Sequence, residues 1–210
     1  MERNHFPIEL LFFADLEAES LFAKFDTALR DGVYIQLICD PSWWEFIRKY
    51  EISLTAYYKK YWSLQLLNRG QGAESYFFLD FFADSGRGKL SGHYKQIDNS
   101  HLLVGFLLYR VKKLDRNIEL RSIKEFKRLL REDYQELRPG INRMARSNRQ
   151  NSNPNDNESI NVLVDGAFQL FSRIKWIKTQ EDQFDELPAF QRLIDAYYPF
   201  IQNLDQYLKV

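Results

Sequence analysis

The chain has 210 residues, enough for one domain or two small ones, and its 45% hydrophobic content with 17 Phe and 12 Tyr suffices for a packed core and for apolar contact surfaces. Lys+Arg and Asp+Glu number 29 each, which excludes a wholesale polyanion binder, so any nucleic-acid contact must be local. The single cysteine, Cys39, excludes an intrachain disulfide and a Cys-cluster metal site and reads as a small hydrophobe in a reducing compartment.

At the start of the chain, Leu10 to Ala14 is too short an apolar run for a signal peptide, and Asp15, Glu17 and Glu19 follow it. The longest apolar run, Leu102 to Tyr109, is too short to span a bilayer. The expectation is a soluble, cytoplasmic protein. Residues 8–30 read as helix, with Phe22, Phe25, Asp26 and Leu29 at three-four spacing and Gly32 as the stop. Val33 to Ile38 reads as a short strand. Asp40 before Pro41 is an N-cap followed by proline at the first helical position. Trp43, Ile47, Tyr50, Leu54, Tyr57 and Tyr61 then share one helical stripe, with a second helix able to start at Ile52-Ser53. Leu64 and Leu66 oppose Tyr76 and Phe78 across the turn RGQGAES, which makes a hairpin. Residues 83–99 are polar and glycine-rich and read as a connector.

The second half is expected to repeat this plan. Ser100 caps a helix carrying Leu103, Phe106, Leu107 and Val111. Ser122-Ile123-Lys124-Glu125 matches a capping box and opens a helix with Ile123, Phe126, Leu129, Leu130 and Leu137 on its apolar face, ended by Pro139-Gly140. Residues 145–158 are depleted in apolar residues and read as a mobile loop. Ile160, Leu163, Val164, Ala167, Phe168, Phe171 and Ile174 form the most regular helical stripe of the chain. Trp176 to Lys178 and Phe184 to Leu187 make a second hairpin, and a last helix over 189–208 is kinked or split by Pro199. A helix feeding a small hairpin, found twice, predicts a mostly α fold with small β-hairpins (α+β), built as two tandem winged-helix domains. These span 1–92 and 93–210, the second holding the loop and the terminal helix.

Motifs for chemistry mostly fail. GRGKLS at 86–91 resembles a phosphate loop, but the required earlier glycine is Ala83 and Leu90 stands where Ser or Thr is needed. GQGAES at 70–75 lacks the third glycine and the strand-to-helix setting of a dinucleotide fingerprint. His5, His93 and His101 have no metal-ligand spacing and no cysteine beside them. The acid pairs Glu132-Asp133, Glu181-Asp182 and Asp185-Glu186 are adjacent in sequence, so each pair does not share a face and reads as solvated surface. No cofactor, no metal and no catalytic residue is expected.

Charge distribution says more than total charge. Arg110 to Arg149 holds 13 Lys/Arg against 6 Asp/Glu, whereas 1–109 holds 11 against 14 and 151–210 holds 5 against 9. Within the basic middle, Arg138, Arg143, Arg146 and Arg149 run from a helix end into an Asn/Ser-rich loop. Two readings stand side by side: phosphate contacts from an arm, or a solvated face with a polar loop. Lys124, Lys127, Arg128 and Arg131 read as a solvated helix face. Arg173, Lys175 and Lys178 lie where the regular helix enters its hairpin and are DNA candidates, although cations at a helix end also suit the dipole. Neighbouring positions on a helix point about 100° apart, so one of Trp43 and Trp44 is a protein-interface candidate.

The stretch LFAKFDTALRDGVYIQ, then DPSWWEFIRKYEISLTAYYKKYWSLQLL and a hairpin ending SYFFLDFF, resembles MukE-type subunits of bacterial condensins, and the MksE branch most. Its most specific element is Leu21-Phe22, Asp26, Ala28-Leu29-Arg30 and Gly32. The second half, Ile160 to Ile174 followed by Trp176-Ile177-Lys178, matches by layout, and the likeness covers roughly 20–190. The resemblance implies two tandem winged helices, a homodimer, and binding to a kleisin that bridges an SMC-type ATPase. This chain carries no ATPase motif, so it would be a non-catalytic, nucleoid-associated scaffold that helps hold double-stranded DNA. MukE chains often carry an acidic tail, whereas this one stops at Tyr207-Leu208-Lys209-Val210, so roles that depend on a tail are not expected. Chromosome organisation and plasmid restriction both remain open. The alternative is a winged-helix transcriptional regulator, which needs a basic reading helix, yet LVDGAFQLFSRI is mostly apolar and carries Asp165.

Overall fold

The computed structural model describes residues 7–83, 97–147 and 156–208, with side chains except at 144–147 and 156–157. The connector motif 86–91, His5 and His93 lie outside the described residues. The chain divides into two compact units, Met1–Gln96 and Ile97–Val210, both mostly helical with small antiparallel sheets.

In the first unit the expected helix over 8–30 is two elements. A 3-10 segment, Ile8–Ala14, stops where the Asp15 carboxylate accepts a hydrogen bond from the Glu17 amide, and α1 then runs Glu17–Arg30. Gly32 ends α1 at φ 80°, with its own amide bonded to Leu29 O and the Val33 amide to Ala28 O, the paired bonds of a Schellman cap. That cap consumes the start of the expected strand, and the Cys39 and Asp40 amides turn back onto Gln36 O. Strand β1 is therefore only Ile35–Gln36. Asp40 and Pro41 open α2, Pro41–Lys49, and the backbone breaks at Tyr50 before α3, Glu51–Tyr57. The end of α3 widens into a π-turn, Tyr58–Trp62, and Ser63 in the left-handed region (φ 54°) delivers the chain into β2. Strands β2, Leu64–Arg69, and β3, Tyr76–Phe81, pair antiparallel, and β1 joins on the far side of β3. Phe12, Phe25, Leu29, Ile35, Ile47, Leu54, Tyr58 and Phe77 are fully buried in one core.

The second unit begins with α4, Asn99–Tyr109, whose N-cap is Asp98; Ser100 is instead buried inside the first turn. A π-turn, Arg110–Leu114, extends it. Helix α5, Ile123–Glu132, is capped by Ser122, whose Oγ accepts from the Glu125 amide at 3.1 Å. Pro139-Gly140 does not end this helix. The chain has already turned at Asp133, and Pro139 sits in the first turn of a new helix, α6, Arg138–Ser147, where a missing amide hydrogen costs nothing. Both ends of the expected loop 145–158 are likewise helical: α6 reaches Ser147 and α7 spans Asp156–Arg173. Residues 148–155 lie outside the described residues.

At the end of α7, Lys175 takes a left-handed conformation (φ 63°) and the Trp176 amide bonds to Phe171 O, which launches β4, Ile177–Gln180. Strand β5, Gln183–Glu186, pairs with it. Ser122 forms an isolated bridge to Gln183, flanked by bonds from Ile123 N to Asp182 O and from Phe184 N to Arg121 O, so a strand stub lies on the outer side of β5. After a 3-10 turn, α8 spans Gln191–Gln202 and α9 spans Leu204–Leu208. Tyr197, two residues before Pro199, leaves helical geometry (φ −133°), the expected kink. The core is aromatic: Phe168 meets Phe126 and Phe184 at 5.8 and 5.0 Å, and Phe171 meets Trp176 at 5.4 Å. Among the described residues no helix is long and apolar enough to cross a membrane.

Candidate protein and nucleic-acid interfaces

The residues that gave the sequence its most specific pattern are architectural. Asp26, 5% exposed, accepts from Arg30 Nε at 2.9 Å and from Tyr58 Oη at 3.1 Å. The Arg30 guanidinium lies 4.4 Å from the Trp62 ring centroid. One carboxylate on α1 therefore fixes the π-turn that feeds the first hairpin, and burial beside Asp26 holds the Tyr58 hydroxyl in its neutral form by raising its pKa well above the usual phenol value. The Asp26/Arg30 spacing of four was a readable signal for the ion pair; nothing local marked Tyr58 and Trp62 as its partners.

The structure disperses the basic middle. Arg110 is bound through both terminal nitrogens to Asp205, at 2.6 and 3.2 Å. Lys112, 6% exposed, lies 3.7 Å from Glu186 and over the Phe184 ring, and Lys113 reaches the same carboxylate at 3.6 Å. Arg121 meets Asp185 at 3.4 Å and Lys127 meets Asp165 at 2.6 Å. Arg128 bridges Glu125 and Glu132, and Arg131 donates to Asn161 Oδ1 at 2.6 Å. The face of α5 expected to be solvated is thus largely engaged, and only Lys124 of its four cations is exposed. The acid pairs have structural work as well. Asp182 accepts from Ser122 Oγ at 2.6 Å and from the Lys124 amide at 3.0 Å, and the Ser122 bond holds its pKa down.

Of the DNA candidates, Arg138 is half-buried in the first turn of α6 and Arg143 is exposed on the same helix. Arg146 belongs to α6 but its side chain is outside the description, and Arg149 lies outside the described residues. Arg173 is exposed in the last turn of α7, and Lys175 is half-buried at the left-handed junction. Lys178 is exposed on β4 directly opposite Asp185. Of the helices that enter the hairpins, α3 exposes Ile52 (75%) and its π-turn exposes Lys59, Lys60 and Tyr61, whereas α7 exposes Val162, Asp165 and Gln169 before Arg173.

Trp43 and Trp44 are both half-buried against the first unit's core, with Trp44 5.8 Å from Phe77. The larger apolar surface is elsewhere. The 3-10 segment turns Glu9 and Phe12 inward, with Glu9 bonded to Lys60, and leaves Ile8, Leu11 and Phe13 outward, next to Leu16 at 88% exposure. Rings continue the patch from Phe13 to Phe22, Tyr57 and Tyr61 at centroid separations of 5.0, 5.4 and 5.3 Å. Sequence reasoning missed this surface. Its signal was the apolar run Leu10–Ala14, longer than a single helical face can bury.

The family profile described as condensin complex protein MksE matches residues 20–198. The chain belongs to the MksE family. No curated protein matches it. The MksE match takes in the Asp26 network, both hairpins and the basic middle, and stops before α9.

One polar cleft of about 350 Å³ lies in the second unit of this MksE-family chain, lined by Arg110, Asp115, Asn117, Asp133, Tyr134, Glu136, Leu137 and Asp205. Arg110 sits 3.6 Å from Asp115 and 6.0 Å from the Tyr134 ring centroid, and Tyr134 donates to Asp115. Burial and that bond raise the Tyr134 pKa. Among the described residues no group of three or more His, Cys, Asp or Glu is placed to hold a metal ion. His101 is half-buried on α4, and burial lowers its pKa.

Proposed function

We propose that the chain is a non-catalytic subunit of a bacterial SMC/condensin-like complex. It binds the kleisin, meets the SMC-type ATPase through it, and helps hold double-stranded DNA for chromosome organisation or plasmid restriction. The observation that carries this reading is the MksE match over residues 20–198. A base-reading protein lines the face of the helix before its hairpin with Arg, Lys, Asn or Gln, whereas here Lys59 and Lys60, and Gln169 and Arg173, gather near the hairpin ends while α3 exposes Ile52 and α7 exposes Val162 and Asp165. The exposed Ile52 and Val162 suit protein contact.

In this reading each unit is a winged helix, with domains over 1–92 and 93–210. The order α1-β1-α2-α3-β2-β3 with β1 beside β3 supports it in the first unit. The stub at Ser122 beside β5 supports the same order in the second. The protein acts as a homodimer in the cytoplasm, associated with the nucleoid. Trp43, Trp44 and the Phe13–Tyr61 ring patch are candidate protein contacts, and Arg138, Arg143, Arg146, Arg149, Arg173, Lys175 and Lys178 are candidate DNA contacts. Co-expression with the kleisin of the same genome, followed by light scattering on the purified material, tests the core of this reading. A dimer that co-elutes with the kleisin is expected; a monodisperse monomer that ignores it refutes the proposal.

A further inference from the structure

Helix α9 rests on α6 where no side chain would fit. A Cβ on Gly140 would come within 2.5 Å of the Leu208 carbonyl oxygen and 2.8 Å of its Cα, so the two backbones are in direct contact. Leu204 and Leu208, one turn apart, are buried, whereas Gln206 and Tyr207 are exposed and the Tyr207 ring meets Phe200 at 5.8 Å. Between the leucines, Asp205 receives the two bonds from Arg110. The described turn of α9, Leu204–Leu208, is held to the surface beneath it by these contacts. A turn at Asn203 (φ −110°) sets it off from α8, and it lies beyond the residues that match the MksE family.

We propose that this surface is a docking groove for a short amphipathic helix of the pattern Leu-Asp-x-x-Leu, filled in cis by Leu204–Leu208, and that a partner protein carrying such a helix competes with α9 for it. The occupant specifies the chemistry. Gly140 forms a floor that admits backbone contact, two leucines one turn apart supply the apolar anchor, and Arg110 reads the acid after the first leucine. Arg110 also meets Asp115 at 3.6 Å and the Tyr134 ring centroid at 6.0 Å, contacts that do not depend on α9. In the intact chain α9 is present at high effective concentration and excludes weak competitors.

The test uses a chain stopped after Asn203 and a fluorescent peptide spanning residues 199–210, read by anisotropy. Saturable binding to the shortened chain is expected, with the intact chain binding at least about tenfold more weakly. An Asp-to-Arg change in the peptide weakens binding about tenfold, and Arg110→Asp in the shortened chain reverses that preference. A shortened chain that keeps its thermal transition and ignores the peptide overturns the proposal, and so does one that loses its fold. Hydrogen exchange on the intact chain gives a second decision. The amides of Leu204–Leu208 should open independently of α6 and α7; exchange only through global unfolding makes α9 a fixed part of the core and refutes docking.

Discussion

Asp26 shows how much can depend on one buried carboxylate. It is the shared acceptor of Arg30 and Tyr58, and Arg30 in turn covers Trp62. Asp26→Ala leaves a partly buried guanidinium and a buried phenol without their acceptor, a loss of about 3 kcal/mol that urea unfolding monitored by tryptophan fluorescence would register. Asp15 works at the surface. Bonds from Lys49, from the Glu17 amide and from Tyr50 hold its pKa at about 2, below the ordinary 3.8. A depressed carboxylate pKa stabilises the fold fully above the unfolded value and loses that contribution as pH falls toward the folded one. The melting temperature should therefore gain nothing from Asp15 on raising the pH above 5 and should lose its contribution between pH 4 and 2; Asp15→Asn should flatten that part of the acid limb.

At the scale of elements, the second hairpin is tied to the start of α5. Asp182 at the hairpin tip takes bonds from Ser122 and the Lys124 amide, and its own carbonyl takes the Ile123 amide. Asp182→Ala should cost about 1 to 2 kcal/mol and raise amide exchange at 123–125 together with the tip, whereas Ser122→Ala should cost about 1. The Ser122 cap, the Gly32 stop, the Pro199 kink and the regular α7 stripe were legible because each is a local rule written within a few residues; of the expected capping box only the Ser122 half forms, since the Glu125 carboxylate accepts from Arg128. What the sequence did not disclose was long-range. Asp182 lies 58 residues from the amide it caps, Tyr58 lies 32 from Asp26, and Pro139-Gly140 is as compatible with opening a helix as with ending one. Surface apolarity was hidden for a related reason: the same spacing serves a buried face and a docking face.

For the whole molecule, charge location matters more than charge count. The cations of α5 are largely spent on Asp165, Glu125, Glu132 and Asn161, so they contribute little to any DNA affinity. Changing Arg143, Arg146 and Arg149 together to Glu should weaken DNA binding and flatten its salt dependence, by about 0.9 in log–log slope for each phosphate that is no longer neutralised. Changing Lys127 and Arg128 to Gln should leave the slope near that of the unaltered chain. Filter binding across a series of salt concentrations separates the two, and equal slopes for all three proteins would assign the 143–149 region to solvent.

The pairing of Arg110, Lys112, Arg121 and Lys127 with Asp205, Glu186, Asp185 and Asp165 has a consequence in time. Every one of those bases is translated before its acid, by 38 to 95 residues for the pairs joined by hydrogen bonds. A nascent chain thus exposes these four cations before their acids have been made, and the pairs close only as the acids emerge and the second unit folds.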